Sequence, residues 1–240
     1  MIRLASLFCT LGAAAFALAQ EATPSVSPSL SPAASPTPTS AVTTAPAPPA
    51  RSVRIRFLPP PLEGTISLGI YDEWNKLVRV LHQEAELDEF TIGDDALSTK
   101  WDGRDDDGFD VIPGRYQARG FVVGKLKNET PSPAPAASAT PPVTSGPVTI
   151  KLMSNPLGNG ERATVELSVG FDDENSYLKT NDGLPLYTIS TKPNVQRAGI
   201  AKAGERSADV WEDDGTTVQQ FRLSNLDRMM AFDCGDFELK

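Results

Sequence analysis

Trp101-Asp102-Gly103-Arg104-Asp105-Asp106-Asp107-Gly108, followed by Val111-Ile112-Pro113-Gly114-Arg115-Tyr116, is the run on which the fold turns. Asp102-Gly103 and Asp107-Gly108 are tight-turn pairs, because glycine takes a positive φ without steric cost and aspartate bonds its own backbone. Pro113-Gly114 marks a further turn, Trp101 supplies a large core anchor, and Tyr116 opens a strand. The chain upstream alternates with period two. Val53, Ile55 and Phe57 alternate with Arg54, Arg56 and Leu58; Ile66, Leu68 and Ile70 with Ser67, Gly69 and Tyr71; Val78 and Val80 with Arg79 and Leu81. Asp72-Glu73-Trp74-Asn75-Lys76 forms a turn between two of these runs, and Pro59-Pro60-Pro61 ends the first, since proline cannot lie inside a central strand. Short alternating runs between turn clusters predict an all-β chain built on an antiparallel β-sandwich.

Ile70-Tyr71-Asp72, Leu77-Val78-Arg79-Val80-Leu81, the Trp101–Asp105 run with Gly108, and Pro113-Gly114-Arg115-Tyr116 occur in that order. Together they resemble the immunoglobulin-like module of the bacterial flagellar hook-capping protein, the FlgD Ig-like family. The resemblance covers Val53 to Val123, with Val148 to Leu152 as the expected last strand. It implies an immunoglobulin-like sandwich and a non-catalytic structural or binding role. The chain departs from the hook-cap protein in its N-terminal part, so the fold is carried over and the flagellar role is not.

That N-terminal part carries one charge, Arg3, then an uncharged apolar run from Leu4 to Leu18, then Ala17 and Ala19 at −3 and −1 from a cleavage site before Gln20. Residues 1–19 therefore read as a signal peptide. The apolar run is shorter than the ~20 residues that cross a bilayer, and Phe8 before Cys9 argues against lipidation. Cleavage removes Cys9 and leaves Cys234 as the sole cysteine, so no intramolecular disulfide is expected. Residues 20–51 are rich in Pro, Ser, Thr and Ala and read as a disordered, semi-rigid tether. A second Pro-rich insert, 129–147, reads as a loop inside one domain or a linker between two. The expected organisation is then a sandwich over 52–154 and a β-rich region over 155–240. The latter shows alternation at Ala163–Val169, a strand after the Asn181-Asp182-Gly183 turn, a hairpin around Glu212–Gly215, and a further strand from Met229 to Cys234.

The formal net charge of −9, with 31 acidic against 22 basic residues, repels phosphate backbones and argues against nucleic acid as a partner. No later apolar run reaches membrane-spanning length. Carboxylates cluster at Asp105-Asp106-Asp107, Asp172-Asp173-Glu174 and Asp213-Asp214. Hard cations take oxygen ligands, so calcium on Asp105, Asp106 and Asp107 is the metal candidate, although Arg104 in the third position breaks the EF-hand pattern. There is no Gly-x-Ser-x-Gly elbow, phosphate loop or His/Cys metal spacing, and the one histidine, His82, has no evident triad or metal partners. Trp74 and Trp211 lie next to turns: either they stack on sugar rings or each packs under its own hairpin. These features point to an exported non-catalytic structural or protein-binding module of the bacterial cell envelope or surface, with a carbohydrate-binding module using turn aromatics and calcium and, remotely, a small hydrolase as alternatives.

Overall fold

The computed structural model describes residues 51–130, 146–158 and 162–240. The signal-peptide reading of 1–19, the tether before Arg51 and the central part of the second Pro-rich insert lie outside these residues. The described chain is all-β, and every strand pairing in it is antiparallel.

Six strands come first: β1 (Val53–Phe57), β2 (Thr65–Tyr71), β3 (Leu77–Ala85), β4 (Thr91–Ile92), β5 (Leu97–Trp101) and β6 (Gly114–Val123). Eight follow: β7 (Lys127–Glu129), β8 (Val148–Lys151), β9 (Thr164–Phe171), β10 (Ser176–Thr180), β11 (Pro185–Ser190), β12 (Arg197–Gly204), β13 (Ser207–Asp213) and β14 (Val218–Ser224). The chain ends in the eleven-residue β15 (Met229–Leu239). Four sheets result, in the orders β1-β5-β4, β15-β6-β2-β3, β11-β10-β9-β8 and β12-β13-β14-β7.

The first two sheets enclose one core, built from Ile55, Phe57, Ile66, Leu68, Ile70, Trp101, Tyr116, Ala118 and Phe232. Trp101 is the anchor its sequence context predicts: it is fully buried, and its indole N–H donates to the carbonyl of Arg104 at 2.8 Å. The other two sheets enclose a second core around Ile150, Leu167, Leu178, Leu186, Ile200, Val210 and Leu223. Leu77, Val80, Phe121 and Ala231 pack on that second core from the far face of the β15-β6-β2-β3 sheet. This middle sheet is thus covered on both sides, which is why β2 is buried at nearly every position and its Ser67, Gly69 and Tyr71 are as enclosed as its Ile66, Leu68 and Ile70.

The topology corrects one expectation. The Val148–Leu152 stretch does not close the first sandwich beside β6. It pairs with β9, from Val148↔Leu167 to Lys151↔Thr164. The place beside β6 goes to β15, from Met229↔Val123 to Leu239↔Gly114. Buried Val148 and Ile150 alternating with exposed Thr149 and Lys151 fix which face of a strand is dry, and that pattern fits either sheet. The eight strands β7–β14 are therefore nested between the last two strands of the first sandwich. The second Pro-rich insert joins β7 and β8, whose sheets face each other across the second core, so it connects two layers of one body. The outgoing and returning crossings are tied together: Gly124 N–H donates to the Arg228 carbonyl at 2.8 Å, and β7 pairs with β14.

Candidate functional site

The seam between the two sandwiches opens at one end into a cleft of about 840 Å³. Its walls come from the β1–β2 connection, the end of β3, the two crossings and β11. Gly64 lets the first of these lie on the end of β6, since a Cβ there would stand 1.9 Å from the Val123 carbonyl oxygen. Glu84 reaches the cleft through a bulge: pairing steps from Ile66↔Ala85 to Leu68↔His82, leaving an extra residue on β3. Glu84 takes up that residue with φ of 48°, an uncommon conformation for a side chain with a Cβ. Two bonds hold it there, from its N–H to Ser67 Oγ at 3.2 Å and from Thr188 Oγ1 to its Oε1 at 2.6 Å. Glu63, Glu86, Lys125, Arg228, Met153 and Tyr187 are also in the lining. Burial, and then the neighbouring Glu84 charge, push the Tyr187 phenol up from its ordinary pKa. Among the described residues Lys125 and Arg228 have no ion-pair partner.

The residues singled out from sequence lie elsewhere. Asp105, Asp106 and Asp107 do not converge. Asp105 Oδ1 accepts the N–H groups of Asp107 and Phe109 at 3.1 and 2.8 Å, building its own turn. Asp106 turns to β3, accepting Val80 N–H at 2.9 Å with Arg79 Nε 3.8 Å away, and so occupies an otherwise open strand edge. Asp107 is exposed. Among the described residues no three His, Cys, Asp or Glu side chains are grouped as a metal site. Asp172 caps its own turn through Glu174 and Asn175 N–H groups. The Lys192 ammonium, then the Thr216 and Thr217 donors, hold the Asp214 carboxyl well below the usual carboxylate range. Trp211 is half-buried within β13, between Gly199 and Gln220 on the adjacent strands. Trp74 does not pack under its hairpin; it is 73% exposed. His82 packs its ring 4.4 Å from Phe90 and bonds Thr99 Oγ1 at 2.8 Å, and burial lowers its pKa.

Two polar clusters carry no sequence signal, because their members come from distant strands. Glu212 on β13 is fully buried and accepts hydroxyl hydrogen bonds from Ser176 on β10 and, at 2.8 Å, from Ser190 on β11. It links the two sheets of the second sandwich. Glu212 and Ser176 are fully buried, Ser190 is half-buried, and no imidazole accompanies them. The other cluster binds the sandwiches side by side. The Arg119 guanidinium lies 3.8 Å above the Tyr71 ring and pairs with Asp182 at 3.1 Å, while another of its N–H groups reaches Asn75 Oδ1. Comparison with protein-family models, curated proteins and solved structures found no match for this chain.

Proposed function

We propose that this chain is an exported, non-catalytic module that binds an extended segment of a partner protein in the seam cleft. The observation that carries this reading is the cleft itself, whose lining brings Lys125 and Arg228, without ion-pair partners among the described residues, together with Glu63, Glu84 and Glu86. Charges of both signs beside the Met153 and Tyr187 side chains suit a peptide, which brings backbone dipoles, side-chain charges and apolar groups together. The non-catalytic part of the reading is supported by the engagement of its reactive groups. His82 is packed on Phe90, Ser176 is sealed in the core, and burial pushes the Cys234 thiol up to about 12. A first sandwich of the immunoglobulin-like kind, as the hook-cap resemblance implies, and an N-terminal signal and tether complete the proposal.

The test is photo-crosslinking from position 153 of the full chain in cells that produce it. A discrete adduct that disappears in the double variant Lys125→Glu/Arg228→Glu, with an unchanged melting temperature, supports the reading. An adduct indifferent to both charge reversals, or none, overturns it.

A further inference from the structure

At the opposite end of the first sandwich, Trp74 stands on a turn built for rigidity. Asp72 Oδ1 accepts the N–H groups of Trp74 and Lys76 at 3.0 and 2.8 Å. Asp72 N–H bonds the Lys76 carbonyl, Asn75 N–H bonds the Asp72 carbonyl, and Arg119 on β6 holds the Asn75 side chain. An indole 73% exposed is thus held on a fixed backbone. Both chain neighbours of Trp74, Glu73 and Asn75, line a hollow of about 250 Å³ that also meets Asp72, Arg115, Gln117 and Asp236.

The free hydrogen-bonding capacity of this hollow identifies its ligand. Asp236 is paired with Arg115, Gln117 Nε2 donates to Asp233 at 2.8 Å, and Asn75 Oδ1 and Asp72 Oδ1 are occupied. What remains, among the described residues, is a set of acceptors (Asp72 Oδ2, the Glu73 carboxylate, Gln117 Oε1) and a set of donors (Asn75 Nδ2 and the remaining N–H groups of Arg115). An anion would face three carboxylates. A simple cation would find no use for the Asn75 and Arg115 donors, which stay with water, and would meet the positive Arg115 guanidinium. Hydroxyl groups donate and accept together. A sugar ring adds an apolar C–H face that fits an exposed indole.

We propose that Trp74 and the hollow beside it form a subsite for one neutral sugar ring, with the indole against its C–H face and Asp72, Glu73, Asn75 and Gln117 along its hydroxyl rim. This site is separate from the seam cleft and stands whether or not a peptide binds there.

The experiment is calorimetric titration of the full chain with cellohexaose, xylohexaose, mannohexaose, maltohexaose and hexa-N-acetylchitohexaose, with choline as a cationic control. Saturable binding of at least one oligosaccharide is expected, with a blue shift of the exposed indole emission. Trp74→Ala should weaken it about tenfold or more, Trp74→Phe and Glu73→Gln less, all with unchanged melting temperature because both side chains are exposed. Failure of all five sugars, binding indifferent to Trp74→Ala, or choline saturating the site in their place would overturn the assignment.

Discussion

Phe232, on the last strand, stacks on Phe57, on the first, with ring centroids 5.0 Å apart and planes 16° from parallel. Phe90 meets the same Phe57 ring edge-on at 5.5 Å. The C-terminal strand is therefore inside the first core. Phe232→Ala should cost about 3–5 kcal/mol, the usual range for a buried phenylalanine, read as a lowered urea midpoint. A fragment spanning residues 52–154 lacks β15, so it should show no cooperative unfolding transition by circular dichroism. A cooperative fragment would contradict the nested topology.

Glu212 bridges two sheets through Ser176 and Ser190. Removing the carboxylate takes the acceptor from one fully buried and one half-buried hydroxyl, so Glu212→Ala should destabilise by about 2–3 kcal/mol. Glu212→Gln keeps one acceptor oxygen and should lose less, about 1 kcal/mol. Equal losses in the two variants, measured by chemical denaturation, would mean that side-chain volume and not hydrogen bonding sets the cost.

The strands were largely legible because alternation is a local property. Val53–Phe57, Ile66–Ile70 and the hairpin of β13 and β14 are where period two puts them. Strand partnership is a property of the whole chain. Val148–Lys151 and Met229–Leu239 both alternate well enough to close the first sandwich, and only packing decides that β15 takes the place. The site was legible in the same uneven way. The turn chemistry of Asp72 and Asp105 is written in neighbouring residues, and both carboxylates cap their own turns. Glu212, Ser176 and Ser190 lie on three different strands, and Lys125 and Arg228 on opposite crossings, so no local spacing announces either group.

Burial, then the Asp182 charge, raise the Tyr71 phenol from 10.0 to about 12. A folded-state pKa above the unfolded value means that the folded chain holds its proton more tightly. The resulting stability is intact below pH 10 and is lost as pH rises toward 12. A rise of this size corresponds to about 2–3 kcal/mol. Tyr71→Phe should therefore flatten the alkaline limb of the stability–pH curve between pH 10 and 12 relative to the wild type. Identical limbs in the two proteins would remove Tyr71 as a source of that loss.

Cys234 is also held protonated, by burial first and by Asp233 second, with its thiol raised from 9.0 to about 12. The thiolate is the reacting form, and a thiol raised in this direction keeps far less than its ordinary thiolate population at neutral pH. Iodoacetamide at pH 8 should label the native chain some hundredfold or more slowly than the urea-unfolded chain. Comparable rates, followed by mass spectrometry, would show that the β15 bulge around Gly235 opens readily.

Asp105 and Asp106 each accept backbone N–H groups, one within its own turn and one at the edge of β3. Asp105→Ala removes two acceptor bonds from the turn that carries Gly108 and Phe109, and should cost about 1–2 kcal/mol. Asp106→Ala uncovers Val80 N–H on the outer edge of β3 while leaving the core untouched. It should therefore change stability by under about 1 kcal/mol yet raise the tendency to associate, which light scattering detects. Because the carboxylates of 105–107 do not converge, neither millimolar calcium nor a chelator should move the melting temperature. A calcium-dependent rise would show that these loops rearrange to gather oxygens on the ion, since a ligand that binds only the folded chain must stabilise it.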